Sequence, residues 1–288
     1  MKMIDIKYKK AFSMLEVVFV IVILGVVSAI GAEIIADVYR SYVLERATHR
    51  SSIKTELAAN QIANRLTYSI PRTIIGRKTG AYRAIDNLDA NDYEILEWIG
   101  YDNDSFSANR VPGWSGFIDV DASSSTALDT KGSDLGTTNS IIGNLSDGNS
   151  DIGSAAIFFP GEYNVDNIGY NGNTVGAIQL GAGSTGTTLN VPDLIGRTII
   201  EHYKLAWSAY ALVPNDNGDG TFDLVLHYDY QPWKGESYGD GKQQTLVRNV
   251  SVFKFVGSDN TIRFKLCQQE KITNNKKITI CKEKAVIR

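Results

Sequence analysis

Cysteine and histidine are scarce in this chain, with two and three residues, and no Cys-x-x-Cys is present. A disulfide-dense scaffold and a cysteine-based zinc centre are therefore not expected. Gly-x-Ser-x-Gly, a phosphate loop and His-Glu-x-x-His are also missing, so no signature supplies a nucleophile or a metal-bound water. His49, His202 and His227 are read as surface or satisfied core residues, with His202 and His227 in strand-like runs that adjacent pairing would bring together. No enzymatic role is expected. Neither sign of charge dominates, since 29 Lys and Arg face 32 Asp and Glu, and no global field draws the chain to nucleic acid. Proline is rare too, and the first of six is Pro71.

What is present starts near the N-terminus. Ala11-Phe12-Ser13-Met14-Leu15-Glu16 runs directly into Val17 to Ala32, which places one carboxylate at the head of an otherwise unbroken apolar segment. An ionised side chain inside a membrane helix costs at least about 2.5 kcal/mol, so a lone one calls for a partner. If the chain is cut between Ala11 and Phe12, the new Phe12 amine and Glu16 stand at i and i+4, about one helical turn apart. A secretory signal peptide would have a shorter apolar region followed by its small-residue cleavage site, whereas here Met14 to Ile35 is long and the small residue precedes it. An ordinary signal anchor has no use for Glu16. Lys2, Lys7, Lys9 and Lys10 against Asp5 place the leader on the cytoplasmic side and everything after the span outside.

The helix is expected to continue past the bilayer. No Pro or Gly occurs from Ala32 to Ile70, and Ile53, Leu57, Ile62, Leu66 and Ile70 recur at spacings of four or five with Ala58, Ala59 and Ala63 beside them. Pro71 marks the stop. A helix from Ser13 to Ser69 is about 85 Å long, too long for a bilayer alone. Beyond it the pattern turns to short runs divided by Gly, Asn, Asp and Ser, read as strands at Tyr93 to Ile99, Gly116 to Val120, Ala155 to Phe159, Thr198 to Val213, Phe222 to Tyr230, Leu246 to Val256, Thr261 to Cys267 and Lys277 to Cys281. The polar stretches 121–154 and 169–190 are read as surface loop insertions rather than core.

A short basic leader, a small residue, Phe, uncharged residues, Glu and an apolar helix together resemble the N-terminal signal of type IV pilins and type II secretion pseudopilins. The resemblance implies that a prepilin peptidase cuts after Ala11 and methylates the Phe12 amine, and that Glu16 aligns subunits during assembly. Ala11 departs from the family's usual Gly. Glu33 stands where major pilins commonly carry a helix-bending proline, which fits a larger minor pseudopilin, and Leu246 to Phe255 is similar to the matching region of J-type minor pseudopilins. The implied fold is α+β: leader 1–11, membrane or filament-core helix 12–35, amphipathic continuation 36–70, and a mainly antiparallel β domain 71–288 on which the helix packs. The implied location is the bacterial inner membrane, N-terminus cytoplasmic and C-terminal domain periplasmic, and then a filament. Implied partners are the prepilin peptidase, other pseudopilins or pilins through the helix, the inner-membrane assembly platform, and lipid before assembly. Adhesion or DNA uptake by a surface-exposed minor pilin is the alternative, with Arg72, Arg77, Lys78 and Arg83, or Lys276, Lys277, Lys282 and Lys284, as the basic clusters to inspect.

Two smaller sites complete the reading. Cys267 and Cys281, both outside the cytoplasm and in strand-like runs, are most simply a disulfide, resembling the C-terminal disulfide-bounded loop of many pilins; metal binding and free thiols are the alternatives. Asn215, Asn217, Asp219, Gly220 and Asp223 match several positions of a calcium loop, but the closing acid is replaced by Leu226 and the first ligand is uncharged. A Gly/Asn/Asp hairpin turn explains the same residues without an ion, and no other cofactor is expected.

Overall fold

The computed structural model describes residues 13–88, 93–107, 111–192, 194–258, 260–273 and 276–287. Helix α1 spans Met14–Thr67, 54 residues, about 81 Å. Its buried positions Ser51, Thr55, Ala58, Ala59, Ile62 and Leu66 follow spacings of one, three and four and so share one face, confined to the C-terminal part. The helix closes at Tyr68, three residues before Pro71.

Strands follow in antiparallel order: β1 Ile75–Lys78, β2 Ala81–Ala84, β3 Ile95–Gly100, then the one-turn helix α2 Asn103–Phe106. Next come β4 Ala127–Asp129, α3 Leu135–Leu145, β5 Ala156–Phe158, β6 Ile178–Gln179, β7 Thr188–Asn190 and β8 Lys204–Ala206. The long strands close the chain: β9 Ser208–Asp216, β10 Phe222–Tyr230, β11 Lys242–Ser258, β12 Thr261–Thr273 and β13 Lys276–Ile287. Eight of them form one sheet in the order β13-β12-β11-β10-β9-β3-β1-β2. The chain is thus α+β, a long N-terminal helix and an antiparallel β domain, consistent with a pilin-like fold.

Period-two alternation sorts the sheet's faces. Leu96 and Trp98 of β3 join Leu212, Leu226, Phe253, Phe255, Phe264 and Leu266 under Ala58, Ile62 and Leu66 of α1. Ile99, Ala209, Ala211 and Tyr230 point to the other face, where they meet Phe158, Tyr163 and Trp233.

That second face carries a lobe the sequence reading did not anticipate. The stretches 121–154 and 169–190, expected as surface loops, instead contribute Leu128, Leu135, Ile142, Ile152, Ile178, Leu180 and Leu189 to a core with Trp114, Tyr203 and Trp207. Their apolar residues are mostly isolated among Ser, Gly, Asn and Asp, and the strands have two or three residues, so no periodic window exists to reveal them. α3 still begins on a readable signal, Asp134 accepting from Thr137 N. The chain at Gly169 and the turn that follows β10 meet closely: a Cβ on Gly169, whose φ is +107, would lie 2.2 Å from Pro232 O. Two strand expectations also change. Gly116 to Val120 makes only isolated bridges at Phe117 and Asp119, and Thr198 to Val213 divides into β8 and β9 after an irregular start.

Candidate functional site at the helix N-terminus

Ser13 is the N-cap of α1, with extended backbone, and Glu16 is the third helical residue. Glu16 N donates to Ser13 Oγ at 3.2 Å and Ser13 N donates to Glu16 Oε2 at 3.4 Å. This reciprocal capping box satisfies two backbone donors that a helix start leaves free, and it holds the carboxylate over the positive end of the helix dipole. Ser13-x-x-Glu16 was legible as a capping box in the sequence, and the reading missed it. Ala11 and Phe12, the expected cleavage and methylation positions, lie outside the described residues. From Met14 onward the helix side chains are exposed through Ile30, and by length and composition this part is apolar enough to cross a membrane.

The other end of the helix is bolted to the sheet by polar contacts. Ser51 Oγ and Thr55 Oγ1 both reach Gln268 Oε1, at 3.2 and 3.3 Å, all three residues buried. Glu56 is bracketed by Lys284 at 2.6 Å and Lys282 at 3.1 Å, and these two lysines, Lys284 foremost, hold its carboxyl below the usual range. Half of one basic cluster considered for nucleic acid is therefore spent on α1. Cys267 and Cys281 face each other in the β12–β13 register and form a disulfide.

Arg77, from the other basic cluster, is also occupied. Its Nε lies 2.5 Å from Glu97 Oε2, and its guanidinium lies 5.5 and 5.7 Å from the Tyr82 and Tyr170 ring centres. Tyr230 OH donates to Glu97 Oε1 at 2.9 Å. Burial works against the charge on Arg77, yet the adjoining Glu97 carboxylate raises its pKa; burial pushes the Glu97 carboxyl up, opposed by Arg77 and Tyr230.

The acidic turn between β9 and β10 is a hairpin turn. Asp219 Oδ1 accepts from Thr221 N and Oγ1, and its Oδ2 from Lys271 Nζ at 2.7 Å. Asp223 Oδ1 accepts from Asn217 Nδ2 and Asn249 N, and Asn215 sits opposite Asp223 in the ladder. The Asp219 carboxylate is thus engaged by Thr221 and Lys271 and that of Asp223 by Asn217 and Asn249, and among the described residues no group of three His, Cys, Asp or Glu side chains that could hold a metal is found. The histidines are not neighbours as the strand reading had allowed. His227 is buried on β10 with Nδ1 2.7 Å from Tyr238 O, whereas His202 bridges to Phe117.

Residues 6–32 match the prokaryotic N-terminal methylation motif. The match covers the segment that carries Ala11, Phe12 and Glu16, and it supports a type IV pilin-like family. No curated protein and no solved structure matched the chain. The motif implies processing by a prepilin peptidase and assembly with other pilins, and it points to a structural subunit rather than an enzyme. The apolar helix fits a membrane-anchored pilin.

Proposed function

We propose that this chain is a minor pseudopilin or minor pilin, a subunit of a type II secretion or type IV pilus-like filament that supports assembly and protein secretion. The observation that carries the reading is the methylation motif at the head of an unbroken 54-residue helix whose far end alone is packed on its own domain. The exposed apolar half needs lipid before assembly and other apolar helices after it, because extraction into water would expose the whole span. In this reading the leader is cut after Ala11 on the cytoplasmic side, Phe12 becomes the methylated first residue, and the domain lies in the periplasm. Glu16 supplies the register: after cleavage it is the fourth residue beyond the Phe12 amine in sequence, an i to i+4 relation in a helix, and a neighbour's amine is its alternative partner in a stack. Adhesion or DNA uptake draws less support, since Arg77, Lys282 and Lys284 are committed to internal acids.

Mass spectrometry of the mature chain from cells with an active prepilin peptidase should find N-methyl-Phe12 at its start; a retained Met1 would count against the reading. Glu16→Ala should leave cleavage largely intact and reduce filament incorporation at least tenfold, and normal incorporation would remove the alignment role. Crosslinking in native membranes then separates the machineries by recovering secretion components or a major pilin.

A further inference from the structure

The lobe covers β3, β9 and β10 and reaches the start of β11, where Lys242 Nζ donates to Ser146 O at 2.7 Å, and α1 covers the opposite face; from Lys254 onward the lobe-side face of β11, β12 and β13 carries exposed or half-buried side chains around a buried Cys267. The register defines what that face presents. Lys254 sits beside Lys265, which sits beside Glu283; Val256 beside Arg263 and Ala285; the disulfide follows, and then Lys271 beside Lys277. These positions alternate with Phe264, Leu266 and Val286, which are buried under α1. Lysine is thus placed directly opposite lysine twice, an arrangement that opposes strand pairing and adds nothing to the fold. Lys265 has Glu283 at 2.9 Å and Lys271 has Asp219 at 2.7 Å, but among the described residues Lys254, Arg263 and Lys277 make no ion pair. Acids reappear beyond Lys254, where Glu94 and Asp216 line the next groove. In a chain of net charge −3 this is a local excess of positive charge. Lys254, Val256, Arg263, Lys265, Glu283 and Ala285 also line one shallow depression, which adds apolar floor to a charged rim.

We infer that this face docks an acidic protein surface. Charge complementarity selects the sign of the partner, and the Val256 and Ala285 floor accepts side chains. Nucleic acid fits less well, because among the described residues no aromatic side chain points to this face to stack with bases and Glu283 stands among the cations.

Zero-length carbodiimide crosslinking of the full chain in native membranes tests the inference, since it joins a lysine amine only to a carboxylate in contact. The expected result is amide links from Lys254, Lys265 or Lys277 to clustered Asp and Glu of another protein, reduced at least tenfold by Lys254→Glu with Arg263→Glu. Reversing the identified acids to Lys should restore capture by the doubly substituted chain. The side chains point away from α1, and an intact Cys267–Cys281 bond in the variant checks its folding. Links only within the chain, undiminished capture by the variant, failure of the charge swap, or retention of duplex DNA that Arg263→Glu abolishes would each overturn the inference.

Discussion

Asp102 is a buried carboxylate without a full set of partners, and replacing it should make the protein more stable at neutral pH. It is 3% exposed, it caps α2 by accepting from Ser105 N at 3.1 Å, and its Oδ2 is buried with no partner among the described residues. Burial pushes its carboxyl from the ordinary 3.8 up to about 6; hydrogen bonds from Ser105 oppose the shift and the charge of Asp104 adds to it. A raised acid binds its proton more tightly in the folded state. Its stabilisation is therefore complete below pH 3.8 and is lost as pH rises through about 6. A difference of about two pH units corresponds to about 3 kcal/mol between the two limits, an upper figure for this group. Asn caps helices as well as Asp and carries no charge. Asp102→Asn should therefore gain about 1–3 kcal/mol at pH 7.5 and nothing at pH 4. Urea unfolding of the full chain in detergent, followed by tryptophan fluorescence, reads this; Trp114 is well placed because its Nε1 donates to Asp102 O at 2.8 Å. Equal loss of stability at both pH values, or an unchanged pH profile, would refute the reasoning.

Removing the disulfide with Cys267→Ser and Cys281→Ser should cost about 3 kcal/mol for a loop of this length and lower the thermal midpoint, with the loss concentrated in amide protection of the terminal strands. Arg77→Leu leaves Glu97 buried without its cation and should destabilise by about 3–5 kcal/mol in urea unfolding, part of which acidification restores as Glu97 takes a proton. Tyr230→Phe at the same site removes one hydrogen bond to a charged group and should cost about 1.5–3 kcal/mol.

The sequence was most readable where one element decides its own structure. The absence of helix breakers from Ala32 to Ile70 and the stop at Pro71 placed the end of α1 within three residues, because helix propagation depends on local backbone geometry. Alternation in Phe222 to Tyr230 and Leu246 to Val256 located β10 and β11 for the same reason. The ends of β12 and β13 were underestimated, since Lys and Glu on the solvent face of an edge hairpin weaken the apolar pattern while ladder hydrogen bonds continue. Of the proposed site residues Ala11, Phe12 and Glu16, only Glu16 lies among the described residues, and the capping box it closes with Ser13 was already spelled out by the Ser13-x-x-Glu16 spacing.

Local chemistry by itself determined the long helix, the lone acid at its head, the apolar half that needs lipid or neighbours, and the strand-rich remainder, since each depends on residues within a few positions of one another. Tertiary structure alone decided that scattered leucines and isoleucines of 121–154 and 169–190 form a core, that Arg77 meets Glu97, and that Cys267 lies opposite Cys281. It also separated Lys282 and Lys284, turned to Glu56, from Lys254, Arg263 and Lys265 on the lobe-side face. The reason is register: pairing residues tens of positions apart decides which side chains share a face, and a one-residue slip would exchange them.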